Sequence, residues 1–320
     1  MKFFRYTIVM LAALIIMQGC GSSADKSTKK EELSGRISIS GAFALYPMTV
    51  KWAEEFKKLH PAVQIDISAG GAGKGMADVL SGMVDLAMFS REVSPEEVTK
   101  GAWYIAVTRD AVLPTTSAKN PFLKDIMAKG LTKEKFTDIF ITEKIKDWGK
   151  ALGIPSKVKI SKYTRSDACG AAEMWGKYLG KNQENLVGVG VYGDPGIANA
   201  VKDDANGIGY NNLNFAYDIK TNKKYEGLEI IPIDLNADGK ISSDENFYGS
   251  LNTVVEAIQK GVYPSPPARD LYLVSKGKPA NAIVVEFIKF ILTDGQKFVK
   301  ENGYVTLSAE KIAAEATKMK

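Results

Sequence analysis

The sequence predicts an α/β fold built on a mostly parallel sheet, and three observations carry that reading. Apolar, strand-like runs alternate with stretches of helical spacing. Glycine-bearing turns separate several of the runs from the helix that follows. Roughly 285 residues follow the polar N-terminal stretch, enough for two domains or for one with two lobes.

The elements come in order. Strand-like runs at 36–40, 63–68 and 84–89 alternate with helical patterns at 49–59 and 76–80. In the first helix Val50, Ala53, Phe56 and Leu59 fall at near-helical spacing. Pro47 stands close to its start, where a missing N–H costs nothing. The rhythm continues with a helix at 131–140, a strand at 158–163, a helix at 171–179 and strands at 207–210 and 228–233. The clearest helical stretch is 280–302. Trp52, Trp103, Trp148 and Trp175 lie in these patterned segments and are expected in the core.

The N-terminus sets the expected compartment. Lys2 and Arg5 precede the apolar run 8–17, shorter than the ~20 residues of a spanning helix. The run ends at Met17-Gln18-Gly19-Cys20, so residues 1–19 read as a lipoprotein signal peptide and Cys20 as the acylated first residue of the mature chain. Met17 stands where such signals more often carry leucine. Residues 20–34 are small and polar, a flexible tether. The expectation is an extracytoplasmic protein held at a bacterial membrane through its lipid alone.

Composition removes several functions. The formal charge of +5 falls by two when Lys2 and Arg5 leave with the signal, too mild a balance to indicate nucleic acid. Cys20 and Cys169 are the only cysteines, so no disulfide is expected once Cys20 is acylated. His60 is the only histidine, which argues against Ser-His or Cys-His nucleophiles and most histidine-based metal sites. No enzymatic activity and no catalytic cofactor are expected.

Three turns point to an anion instead. They are Ser40-Gly41-Ala42-Phe43-Ala44-Leu45-Tyr46-Pro47, Ala69-Gly70-Gly71-Ala72-Gly73-Lys74-Gly75 and Arg165-Ser166-Asp167-Ala168-Cys169-Gly170-Ala171. Each stands at an expected helix start, which offers unpaired N–H groups and a positive dipole end. Any one such turn is common in α/β proteins; three, accompanied by Lys74, Arg91 and Arg165, suggest an oxyanion site.

At these residues the chain resembles the phosphate-binding proteins of Pst-type ABC importers, solute-binding proteins of the periplasmic type. The matching segments are Gly41 to Pro47, Gly71 to Gly75, the run 84–89 with Ser90-Arg91, and Arg165-x-Asp167-x-Cys169-Gly170-Ala171. Ile139-Phe140 through Ile145 to Trp148, Gly207-Ile208-Gly209-Tyr210, Tyr263-Pro264 and Asp294-Gly295-Gln296-Lys297 with Gly303-Tyr304-Val305 follow in family order. The resemblance implies a two-lobed periplasmic-binding-protein fold (type II) with the ligand cleft between the lobes. Residues 35–108 and 270–320 would form lobe I and 109–269 lobe II, the chain crossing near 107–113 and 269–274. It implies an anion held by Ala44, Leu45, Gly73, Lys74, Arg91, Arg165, Asp167, Cys169, Gly170 and Ala171, with Arg165 as the main clamp. It also implies a monomer whose partners are phosphate or a similar oxyanion and the permease subunits of an ABC importer.

The departures from the family are as informative. Ala42, Phe43, Ala44, Ala72, Lys74, Cys169 and Ala171 stand where relatives usually present hydroxyl side chains. Backbone donors survive these changes, so an anion can still be held. Arg91 replaces the aspartate that in many relatives accepts the phosphate proton and so rejects sulfate, though some relatives also carry arginine there. Such losses leave room for a different oxyanion, or for a receptor-like sensor or surface protein that no longer serves transport. Cys169 fills the family's serine position and lacks a partner base, so it is not expected to be reactive.

A separate motif runs from Asp234 to Glu245 and has the spacing of an EF-hand calcium loop. Asp234, Asn236 and Asp238 offer side-chain oxygens, Gly239 the sharp turn, Lys240 a carbonyl, Ser242 a water-bridging position and Glu245 a bidentate carboxylate. A strand-like run precedes it, so it is expected to be an isolated, structural Ca2+ site in lobe II.

Overall fold

Eleven strands follow the alternation seen in the sequence, in a computed structural model that describes residues 33–320. The expected signal peptide, the lipidation position Cys20 and most of the tether lie outside the described residues. The strands are β1 (Gly35–Gly41), β2 (Val63–Ala69), β3 (Leu86–Phe89), β4 (Ala102–Ser117), β5 (Ser161–Arg165), β6 (Val189–Val191), β7 (Gly207–Asn212), β8 (Tyr217–Asp218), β9 (Lys223–Lys224), β10 (Leu228–Ile230) and β11 (Ala268–Lys276). One sheet runs β2-β1-β3-β11-β4-β7-β5-β6, with β10 also on β4, and β8 and β9 form a small ribbon.

The two wings of this sheet are parallel, β1 with β2 and β3 on one side and β5 with β6 and β7 on the other. The ladders between them are antiparallel and belong to β4 and β11, which pair with each other along nine residues of β11. These two strands pass from one hydrophobic core to the other. Buried apolar residues between 37 and 107, and between 271 and 304, pack in the first core. Those between 111 and 268, together with Val305, pack in the second. The result is the two-lobed architecture that the resemblance implied.

Local chemistry explains the helices that matter for the site. Helix Tyr46–Leu59 opens with Pro47 and buries Met48, Thr49, Trp52, Ala53 and Phe56 on one stripe, with Lys57 and Lys58 in its last turn, where they complement the helix dipole. Helix Gly170–Tyr178 buries Trp175, stacked on Tyr210 with centroids 5.8 Å apart. Trp52 and Trp148 are also fully buried, and Trp103 packs at the edge of the first core.

Two expectations differ from what forms. The stretch 280–302 is not one helix: Ala282–Leu292 is α-helical, and two 3-10 turns, Asp294–Phe298 and Lys300–Asn302, follow. Gly295 explains the break, because its carbonyl accepts the Trp52 indole N–H at 2.9 Å and a Cβ there would press on the Trp52 ring. The strand expected at 158–163 forms later, at Ser161–Arg165, where β5 pairs with β6 and β7 and ends on Arg165 itself.

Candidate oxyanion-binding site

Three helix starts meet where the two cores adjoin. Gly41 ends β1 with φ +131°, and a Cβ on it would lie 2.3 Å from the Met88 carbonyl oxygen, so glycine alone lets the turn 42–45 leave the sheet here. Helix Ala72–Ser81 begins behind Gly71, and helix Gly170–Tyr178 begins behind Cys169. The last two touch across the junction, for the Gly73 N–H donates to the Ala168 carbonyl at 3.0 Å. A Cβ on Gly170 would lie 2.1 Å from the Ser90 carbonyl oxygen and 2.3 Å from its hydroxyl. The segments expected to hold an anion are therefore gathered from both cores into one place.

Not every expected donor is available in this arrangement. The Leu45 N–H is spent on Ala42 within its own turn, and the Gly73 N–H on Ala168, so these two are corrected from ligand donors to structural ones here. The N–H groups of Ala44, Gly170 and Ala171 have no hydrogen-bond partner among the described residues. Cys169 caps its helix, its Sγ accepting from the Ala172 N–H at 3.4 Å. Burial pushes its thiol up to about 12, against the pull of Arg165, which favours the protonated, capping form.

Arg165 occupies the centre. Its side chain is 1 % exposed and is gripped by two carboxylates: Nε and Nη2 donate to the two oxygens of Asp167 at 2.8 and 2.6 Å, and Nη1 donates to Asp194 Oδ2 at 2.6 Å. Burial works against its charge, but Asp194 and then Asp167 outweigh it and hold the guanidinium more firmly protonated than usual. Its remaining N–H groups have no partner among the described residues, and its Cζ lies 5.7 Å from the centroid of the Phe43 ring.

The other two expected cations each have a carboxylate partner. Lys74 bonds Asp78, which also accepts from the Ser40 hydroxyl at 2.7 Å. Arg91 forms a fork onto Glu97, at 2.7 and 3.0 Å, and packs on the Phe89 ring. It lines one side of a groove of about 490 Å3 whose other side includes Ala168 and Cys169.

Four residues that were not among the expected ligands belong here. Ser90 presses on Gly170, Asp194 shares Arg165, the Asn212 amide donates to Asp194, and Arg269 bonds both the Asn212 side chain and, at 3.3 Å, the Ser90 carbonyl. They form a buried polar chain from the Arg165 guanidinium to the opposite wall. Asp194 stands in the first turn of helix Gly193–Asp203, a position that favours a carboxylate, and that was the one signal available for it. The acidic loop 234–245 lies elsewhere, hydrogen-bonded to Ala128 and Leu131.

Comparison with known proteins follows the same line. A family model described as "PBP superfamily domain" matches residues 26–295. The phosphate-binding protein PstS of Bacillus subtilis is 27% identical over 318 residues, covering 97% of this chain and 95% of that protein. PstS of Pseudomonas aeruginosa is 26% identical, covering 91% and 88%. Among solved structures, a substrate-binding protein of Clostridium perfringens with bound phosphate superimposes with a TM-score of 0.69 at 24% identity, covering 86% of this chain and all of that one. An ABC-type phosphate transport receptor from Vibrio cholerae gives 0.61 at 19% identity, covering 85% and 100%. The likeness to phosphate-binding proteins read from the turns is thus borne out, and the solved structures support the fold.

Proposed function

Because the chain belongs to the PBP superfamily, we propose that it is an extracytoplasmic receptor that captures phosphate and delivers it to the permease of an ABC importer. The observation that carries this reading is the convergence of unengaged amides, at Ala44 on one wall and at Gly170 and Ala171 on the other, beside the Arg165 guanidinium. Backbone N–H groups at helix starts and a planar fork suit a tetrahedral oxyanion, which needs donors from several directions. Contacts from both lobes favour the closed state, so capture and hinge closure are one event. The names of the curated relatives supply the ligand, phosphate. Acylation at Cys20 would keep the monomeric receptor beside its permease, with residues 20–34 as tether.

Calorimetric titration of the purified protein with phosphate, sulfate, arsenate and molybdate tests the proposal. Saturable binding of phosphate, with sulfate weaker, is the expected result. Preference for sulfate or molybdate would reassign the ligand within the same architecture, and binding of none of them would leave a receptor fold that has lost transport.

A further inference from the structure

We propose that the loop from Asp234 to Glu245 binds one calcium ion, with oxygens from Asp234, Asn236, Asp238, Glu245 and the Lys240 carbonyl, and a water held at Ser242. The spacing places these donors at the positions of a twelve-residue calcium loop, and Gly239, at φ +82°, makes the sharp turn in its middle.

An orphaned oxygen points to the ion. Asp234 is 3 % exposed, and its Oδ2 accepts from the Gly239 N–H at 3.0 Å, which turns the carboxylate toward the loop. Oδ1 of the same carboxylate is buried without a hydrogen-bond partner among the described residues. A buried anionic oxygen with no donor is costly, and a cation relieves that cost. Among the described residues Asp238 Oδ2 has no closer cation than Lys240 Nζ at 3.9 Å, so it too is available. Glu245, nearly buried, accepts from the amides of Leu235 and Asn236 with one oxygen and from the Ser242 amide and hydroxyl with the other, closing the loop end to end.

The described residues contain no ready cluster of three acidic, histidine or cysteine side chains. Binding therefore draws Glu245 from its amide partners onto the ion, with the neutral Asn236 side chain and a main-chain carbonyl completing the set. All the donors are oxygens, and the loop adapts by small side-chain turns. That suits calcium, which takes six to eight oxygens in flexible geometry, better than magnesium, which demands a near-ideal octahedron.

The loop is anchored locally. The Asp234 N–H donates to Leu131 at 3.1 Å and the Ile241 N–H to Ala128 at 2.8 Å, and none of these residues belongs to the anion site. Calcium would stiffen this part of the second lobe and leave anion affinity unchanged.

The test is calorimetric titration of the chelator-stripped full chain with calcium chloride in phosphate-free buffer, followed by melting with and without the ion. One site is expected, with Kd in the ~0.1–1 mM range of extracellular calcium modules. The melting midpoint should rise with millimolar calcium and much less with equal magnesium. Asp238→Ala, at an exposed position, should melt as the parent does without calcium yet lose the calcium-dependent rise. Glu245→Gln should weaken binding by at least about tenfold, since it removes the only bidentate ligand. No saturable calcium binding by the parent, or an undiminished rise in Asp238→Ala, would overturn the assignment.

Discussion

Asp194 and Arg165 meet at 2.6 Å with side chains no more than 2 % exposed, so the residue expected to clamp the anion is itself clamped from behind. Asp167 supplies a second grip on the opposite edge of the fork. Two carboxylates facing one guanidinium fix its plane while leaving some of its donors free for a ligand.

Arg165→Ala should therefore nearly abolish anion binding. Truncating one partner of a buried, hydrogen-bonded charge pair costs about 2–5 kcal/mol, roughly 30-fold or more in affinity. Arg165→Lys keeps the charge and loses the fork, so a comparable loss would assign the effect to geometry. Titration of the three proteins with phosphate decides it, and undiminished affinity in Arg165→Ala would move the ligand away from these helix starts.

Gly170→Ala should impair closure specifically. The added methyl would sit 2.1 Å from the Ser90 carbonyl oxygen, a backbone atom of the opposite wall that cannot turn aside. Anion affinity should fall, because the added methyl opposes the meeting of the walls that a bound anion favours. Small-angle scattering with saturating phosphate should show a more open particle than the parent. The same compaction in both proteins would contradict the role given to this contact.

A pH effect follows from Asp110, whose carboxyl is pushed up to about 6 by burial, against the pull of Arg269 3.5 Å away. Between about pH 4 and pH 6 the folded protein holds a proton there that the unfolded chain has released, so this group's contribution makes stability fall as pH rises through that window. In Asp110→Asn that contribution is absent. The stability of the variant relative to the parent should therefore improve from pH 4 to pH 6 and level off above. A difference between their melting midpoints that stays constant from pH 4 to pH 7 would refute the shift.

Cys20→Ala should release the protein from the membrane fraction, since the lipid expected on Cys20 is the anchor that the N-terminal pattern predicts. Fractionation of cells expressing each form is the measurement. Continued partition with membranes would place the anchor elsewhere.

Much of the site was legible in the sequence because it depends on local signals. Glycine before a helix marks an exposed amide, and an arginine two residues from an aspartate at a strand end marks a braced fork. The pairing of Lys74 with Asp78 was also within reach, being one helical turn apart. What escaped depends on where distant segments arrive. Nothing near Ser90 says that it faces Gly170, and Asp194 reaches Arg165 only because helix Gly193–Asp203 lies against β5. Helical periodicity over 280–302 likewise says nothing of Trp52, whose indole takes the Gly295 carbonyl and ends the pattern.

The amides left open at Ala44, Gly170 and Ala171 bear on how such a receptor changes over generations. Main-chain N–H groups are common to every residue except proline, so side chains at Ala44 and Ala171 can drift without erasing a donor. What must be inherited is the path of the chain: glycine at 41 and 170, and the braced arginine. Selection on this pocket would then act on shape and not on hydroxyls, which would let a lineage retune its choice of anion one side chain at a time while never losing the cradle.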